Sequence, residues 1–199
     1  MTNPEAVIFD LNGVFLQSRP LSTRVSEKFR VDPDQLFSKL KTILKEVRTP
    51  GEKPDEIWNP ILQMLNITRN EFFSFWFSGE TLNPDLLDFA RELQTQGIKI
   101  FILSNNFAHR TEYYRRHYPE MFTLFNGVYF SWETGFVKPD IRAYQKLLSD
   151  HQLLPANCVY FDDSPENISV AGSLGIRSHL YTGLPNARQI MVLECKEGA

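Results

Sequence analysis

The stretch Ala6-Val7-Ile8-Phe9-Asp10-Leu11-Asn12-Gly13-Val14 decides the fold. Its first four residues form a short apolar run that reads as a buried strand, and Asn12-Gly13 marks a turn just after it. Outward from there, Ile98–Leu103 is a nearly continuous apolar run, interrupted by Lys99, that leads into Ser104-Asn105-Asn106. Gly127–Phe130 reads as another strand, Cys158–Phe161 as a strand closing on Asp162-Asp163, and Ser178–Tyr181 as the last. Helical patterns lie between them, at Asp85–Gln96, Ala108–His117, Ile141–His151 and Ser164–Leu174, with Gly97 and Gly175 as stops. Apolar strands alternating with helices predict an α/β protein, a parallel sheet with helices on both faces.

From about Leu21 to Phe77 the rhythm differs. Phe29, Leu36, Phe37, Leu40, Ile43, Leu44 and Val47 recur at helical spacing. Pro50-Gly51-Glu52-Lys53-Pro54 breaks the pattern, and Ile57, Trp58, Ile61, Leu62 and Leu65 resume it ahead of the aromatic run Phe72–Phe77. This block reads as a small helical insertion. The tail from Ala187 carries no clear pattern, although Ile190–Leu193 is apolar enough to dock as an extra piece.

The 199 residues suit one core domain with a modest insertion. With 42% hydrophobic and 23% charged residues the balance is that of a soluble protein, and sixteen Phe, seven Tyr and three Trp supply a core. A net charge of −3 gives no bulk attraction to nucleic acid or an anionic membrane. No apolar run reaches the length of a membrane span, and the start, Met1-Thr2-Asn3-Pro4-Glu5, lacks the features of a signal peptide. Cys158 and Cys195 are the only cysteines, too few for a disulfide framework. A cytoplasmic protein, monomer or homodimer, is the expectation.

Chemistry-bearing residues stand where strands finish, and the carboxyl ends of neighbouring parallel strands border one crevice. Asp10 there is a candidate nucleophile toward phosphorus or carbon, or simply a turn residue. Ser104 and Asn105 offer a hydroxyl and backbone N–H groups to phosphate, or cap the next helix. Lys138, in Gly135-Phe136-Val137-Lys138-Pro139-Asp140, can offset negative charge or lie in solvent. Asp162-Asp163 after a buried strand are costly unless solvated, paired or holding a cation such as Mg²⁺, with Asp163 or Ser164 also placed to cap a helix that starts at Pro165.

Together, Phe9-Asp10-Leu11-Asn12-Gly13-Val14, Leu103-Ser104-Asn105-Asn106, Val137-Lys138-Pro139-Asp140 and Phe161-Asp162-Asp163-Ser164-Pro165-Glu166-Asn167 resemble the four ordered motifs of the haloacid dehalogenase-like (HAD) superfamily. The wording is nearest to small sugar-phosphate phosphatases and the phosphatase domain of soluble epoxide hydrolases. The resemblance implies a Rossmann-like core (1–15 and 84–199), a helical cap (16–83) inserted after the first strand, and Mg²⁺-dependent hydrolysis of a small phosphorylated metabolite through an aspartyl-phosphate. It makes Asp10 the nucleophile and a metal ligand, and the Asn12 carbonyl and Asp163 further ligands. Ser104 and the Asn105 amide become phosphate binders, Lys138 the neutralising cation, and Asn167 a residue behind Asp163. Arg19 and Arg24 are candidates to reach an anionic substrate, while Trp58, Trp76 and Phe72–Phe77 suit helix packing.

One position departs from the pattern. Family phosphatases carry an acid/base Asp two residues after the nucleophile; this chain has Asn12, and an amide cannot exchange a proton near neutrality. A specialised phosphatase, an engineered residue, deamidation at Asn12-Gly13, and a dehalogenase- or phosphonatase-type chemistry all remain open here. So does a non-catalytic regulatory protein that keeps the phosphate and metal site.

Overall fold

The computed structural model describes residues 3–51 and 53–196. The chain begins with β1 (Ala6–Phe9) and β2 (Leu16–Gln17), then a helical block of α1 (Leu21–Phe29), α2 (Pro33–Val47), α3 (Asn59–Leu65) and α4 (Arg69–Phe77). It continues through β3 (Thr81–Leu82), α5 (Pro84–Thr95), β4 (Lys99–Ser104), α6 (Ala108–His117), α7 (Pro119–Leu124), β5 (Gly127–Phe130) and α8 (Ser131–Thr134). It ends with α9 (Ile141–Asp150), β6 (Cys158–Asp162), α10 (Pro165–Ser173), β7 (Arg177–Leu180) and α11 (Leu184–Lys196).

Five strands form one parallel sheet in the order β5-β4-β1-β6-β7, with Phe9 beside Ile102 and Phe161. Strand alternation divides the central strands between two cores. Val7, Phe9, Ile100, Ile102, Val159 and Phe161 face α5, α6, α7 and α11. Ala6, Ile8, Phe101, Leu103, Cys158 and Tyr160 face α9 and α10. This is the Rossmann-like sheet covered on both faces that the strand–helix alternation predicts.

The helical block leaves the sheet through β2 and returns through β3. These two short strands pair antiparallel, Leu16 with Leu82, which brings the block's two ends together. The periodicity of residues 21–77 does not announce this ribbon, because its strands have two residues each. Asp32 caps α2, accepting from Asp34 N at 2.8 Å and Gln35 N at 3.0 Å, with Pro33 in the first turn. Thr68 and Glu71 form a capping box on α4. Trp58, Phe72, Phe73, Trp76 and Phe77 make a third core of helix packing, closed by Phe107 from the loop after β4. α11 supplies the regular structure missing from the sequence reading of the tail, with Ala187 and Met191 buried on the sheet. Residues 197–199 lie outside the described residues. Among the described residues both cysteines are free, and no helix is long and apolar enough to cross a membrane.

Candidate active site

β1, β4 and β6 end side by side, and the polar residues after them meet. Asp10 leaves β1 with its N–H donating to Phe161 O at 2.8 Å, which holds the turn against β6. Its carboxylate is buried. Lys138 Nζ donates to Asp10 Oδ1 at 2.8 Å, to Asp162 Oδ2 at 2.7 Å and to Tyr160 OH at 3.1 Å. The Lys138 backbone is held from β4: Asn105 Oδ1 accepts its N–H at 2.7 Å and Asn105 Nδ2 donates to its carbonyl at 2.8 Å. The next loop is tied down similarly, by Ser131 Oγ donating to Asn106 O and accepting Asn106 N–H, both at 3.1 Å.

The two acids after β6 divide their work. Asp162 is fully buried and saturated, accepting from Lys138, from Tyr160, from Ser164 N at 2.8 Å and from Asn167 Nδ2 at 3.0 Å on each oxygen. Asn167, expected behind Asp163, holds Asp162 instead. Ser164 caps α10, accepting from Asn167 N at 3.4 Å, so Asp163 is spared that task. Asp163 is exposed, and its carboxylate lies over Gly13. A Cβ on Gly13 would meet Asp163 Oδ2 at 2.1 Å and push that carboxylate aside, and the φ of +89° favours glycine.

One carboxylate oxygen each from Asp10, Asp162 and Asp163 lie within 4.8 Å of one another. Opposite ligands of a magnesium ion stand about 4 Å apart, so the cluster is close to the size required. Three carboxylates against one ammonium leave the site net negative, and the donors are the hard oxygens that Mg²⁺ prefers. With Asp162 committed to Lys138 and Asn167, Asp10 and Asp163 are the two left to hold a cation.

The same crowding shifts protonation. Burial, opposed by Lys138 and reinforced by Asp162, raises the Asp10 carboxyl to about 6. Burial and then Asp162 raise Asp163. For Lys138 burial alone is unfavourable, but Asp10 and Asp162 outweigh it and the ammonium is held more firmly than usual.

Asn12 and Ser104 also meet, Asn12 Nδ2 donating to Ser104 Oγ at 3.1 Å. Behind Asn12, Tyr114 OH donates to Asn12 Oδ1 at 2.9 Å and lies 2.6 Å from Glu80 Oε2; Glu80 is buried and ion-paired with Arg110. Sequence reasoning missed Tyr114, Glu80, Arg110 and Tyr160. Only Tyr160 left a signal: two residues before Asp162 on one strand, it shares that residue's face. Arg19 does not reach the crevice; it pairs with Glu27 at the surface. Nor does Arg24, which donates to Phe75 O at 2.6 Å and Trp76 O at 3.1 Å.

A model of haloacid dehalogenase-like hydrolases matches residues 4–175. The chain is similar to a sesquiterpene phosphatase of Aspergillus oryzae, 25% identical over 201 residues that cover 96% of this chain and 97% of that protein. Among solved structures it resembles a HAD family enzyme from Bacteroides thetaiotaomicron, with a TM-score of 0.80 at 20% identity over 95% of this chain and 99% of that one. The complex of that enzyme with magnesium and inorganic phosphate gives a TM-score of 0.76 at 20% identity, covering 89% and 94%. Those two structures speak for the fold; the family match spans most of the sequence and takes in all four motif segments. This chain belongs to the haloacid dehalogenase-like hydrolases.

Proposed function

We propose that the protein is a magnesium-dependent phosphatase of a small phosphorylated metabolite, working through an aspartyl-phosphate on Asp10. The observation that carries this is the meeting of Asp10 and Asp163 carboxylates within 4.8 Å, beside a lysine on Asp10 and a serine at the neighbouring strand end. The sesquiterpene phosphatase relative and the magnesium–phosphate complex of the structural neighbour support it.

In this reading Asp10, Asp163 and the Asn12 carbonyl hold Mg²⁺, which when bound draws charge from the phosphoryl oxygens. Lys138 on Asp10 Oδ1 fixes the carboxylate's rotamer and leaves Oδ2 to attack phosphorus. The new O–P bond forms as the ester O–P bond breaks. Ser104 Oγ and the Asn105 N–H orient the phosphoryl group. Water then attacks phosphorus, the Asp10 Oδ2–P bond breaks, and orthophosphate leaves carrying the water's proton, which regenerates the Asp10 carboxylate. Asn12 can hydrogen-bond the departing oxygen but cannot protonate it, so a leaving group of low basicity is favoured. The segment from about Leu16 to Asn83 serves as the cap that excludes water.

The test is hydrolysis of p-nitrophenyl phosphate with Mg²⁺. Turnover that disappears with EDTA and in Asp10→Asn is expected. Tight phosphate and metal binding without turnover would favour a regulatory protein. Metal-independent halide release from a 2-haloacid would favour dehalogenation.

A further inference from the structure

Among the described residues Arg30 and Arg48 of the helical block have no side-chain partner, and of the two Arg30 is exposed whereas Arg48 is half-buried. Arg19 pairs with Glu27, Arg24 holds two backbone carbonyls, and Arg69 pairs with Asp55. Arg48 follows the last residue of α2, is half-buried, and among the described residues makes no ion pair. Its Nε is buried without a hydrogen-bond partner. Its backbone N–H, not its guanidinium, serves the helix end, donating to Leu44 O at 3.3 Å.

Its position is what gives it meaning. Arg48 lines a cleft of about 540 Å³ between the end of α2 and the Val137–Pro139 loop, along with Lys41, Lys45 and Lys138. Glu46 is the one acid on that wall. Burial and the like charge of Arg110 push the Arg48 guanidinium down to about 10, against the pull of Asp10. A buried guanidinium N–H without an acceptor is costly, and the planar fork of arginine matches a carboxylate or phosphate. The phosphoryl group transferred to Asp10 already has Ser104, the Asn105 N–H and Lys138.

We propose that Arg48, backed by Lys41 and Lys45, forms a second anion-binding subsite that selects phosphate esters carrying another anionic group, a carboxylate or second phosphate, on the leaving group. This rests on the phosphatase reading above and names the substrate class within it.

The experiment compares ω-carboxyalkyl phosphates of two to five carbons with the matching alkyl phosphates, in Mg²⁺, as a ratio of kcat/KM. The parent should prefer the carboxylated ester by at least about tenfold at one chain length. Arg48→Ala should bring that ratio near one, and Arg48→Lys should keep part of it. The ratio is taken within one protein, so a change in folded fraction cancels. No preference in the parent overturns the proposal. So does a ratio unchanged in Arg48→Ala, including equal losses on both series, which would mean that the guanidinium serves the transferred phosphate. If neither series is turned over, p-nitrophenyl phosphate decides the phosphatase reading, which fails if that ester is also inert, and calorimetry with Mg²⁺ decides the subsite separately. Methylenediphosphonate binding tighter than orthophosphate in the parent, with the advantage lost in Arg48→Ala, supports it; equal binding overturns it.

Discussion

Asn12→Asp should convert the site from one that needs an easy leaving group into one that does not. The amide now accepts from Tyr114 OH at 2.9 Å and donates to Ser104 Oγ at 3.1 Å. A carboxylate has the same shape, can keep the Tyr114 donation, and can accept the Ser104 hydroxyl proton once that rotor turns. It should therefore be held where the amide is held. What it adds is a proton for the departing oxygen and a base for the incoming water. Such catalysis supplies about 10²–10⁴ in rate, about 2.7–5.4 kcal/mol at 1.36 kcal/mol per decade. There is also a structural cost. Tyr114 has one proton, and its oxygen lies 2.6 Å from Glu80 Oε2, so the donor that the amide already shares with Glu80 must now serve two carboxylates. One unsatisfied buried acceptor costs about 1–3 kcal/mol of stability. The assay is kcat/KM with Mg²⁺ for an alkyl phosphate and for p-nitrophenyl phosphate, with urea unfolding alongside. The alkyl ester should gain the full factor, whereas p-nitrophenolate departs with little help from an acid. Equal gains on both esters, or none on the alkyl ester, would refute the reasoning.

Three further predictions follow from the same cluster. Lys138→Met leaves Asp10 and Asp162 buried without their shared cation; in EDTA it should cost about 3–5 kcal/mol in urea unfolding, and Mg²⁺ should restore part of that. Gly13→Ala forces a Cβ to 2.1 Å from Asp163 Oδ2 at φ +89°; strain of about 1–3 kcal/mol and weaker Mg²⁺ binding by calorimetry are expected. The Asp10 carboxyl, raised to about 6 by burial, binds a proton in the metal-free fold that the unfolded chain has released above its usual 3.8. Its ionisation therefore weakens the metal-free fold as pH rises from about 4 to 6, the reverse of an acid whose folded-state value is lowered, because burial outweighs the pull of Lys138. A cation must displace that proton, so Mg²⁺ affinity should climb with pH up to about 6 and then level off; a flat profile between pH 5 and 7 would contradict this.

Much of this protein is legible from its sequence because its central strands are buried on both faces. Ala6–Phe9, Lys99–Ser104 and Cys158–Asp162 have no solvent-facing side to dilute the apolar signal, and the parallel sheet follows from the helices between them. The strand-end positions of Asp10, Ser104 and Asp162-Asp163 were visible for the same reason. The division of labour between the adjacent acids was not. Which one is saturated depends on Tyr160 on the same strand, Asn167 on the helix that follows and Lys138 from a loop 24 residues earlier, all meeting at Asp162. Tyr114 and Glu80 behind Asn12, and Arg48 beside Lys138, were equally hidden. Local pattern reports which face of an element is apolar; it carries no information about which polar side chains, distant along the chain, share a donor. Only the tertiary packing that brings those segments together decides that.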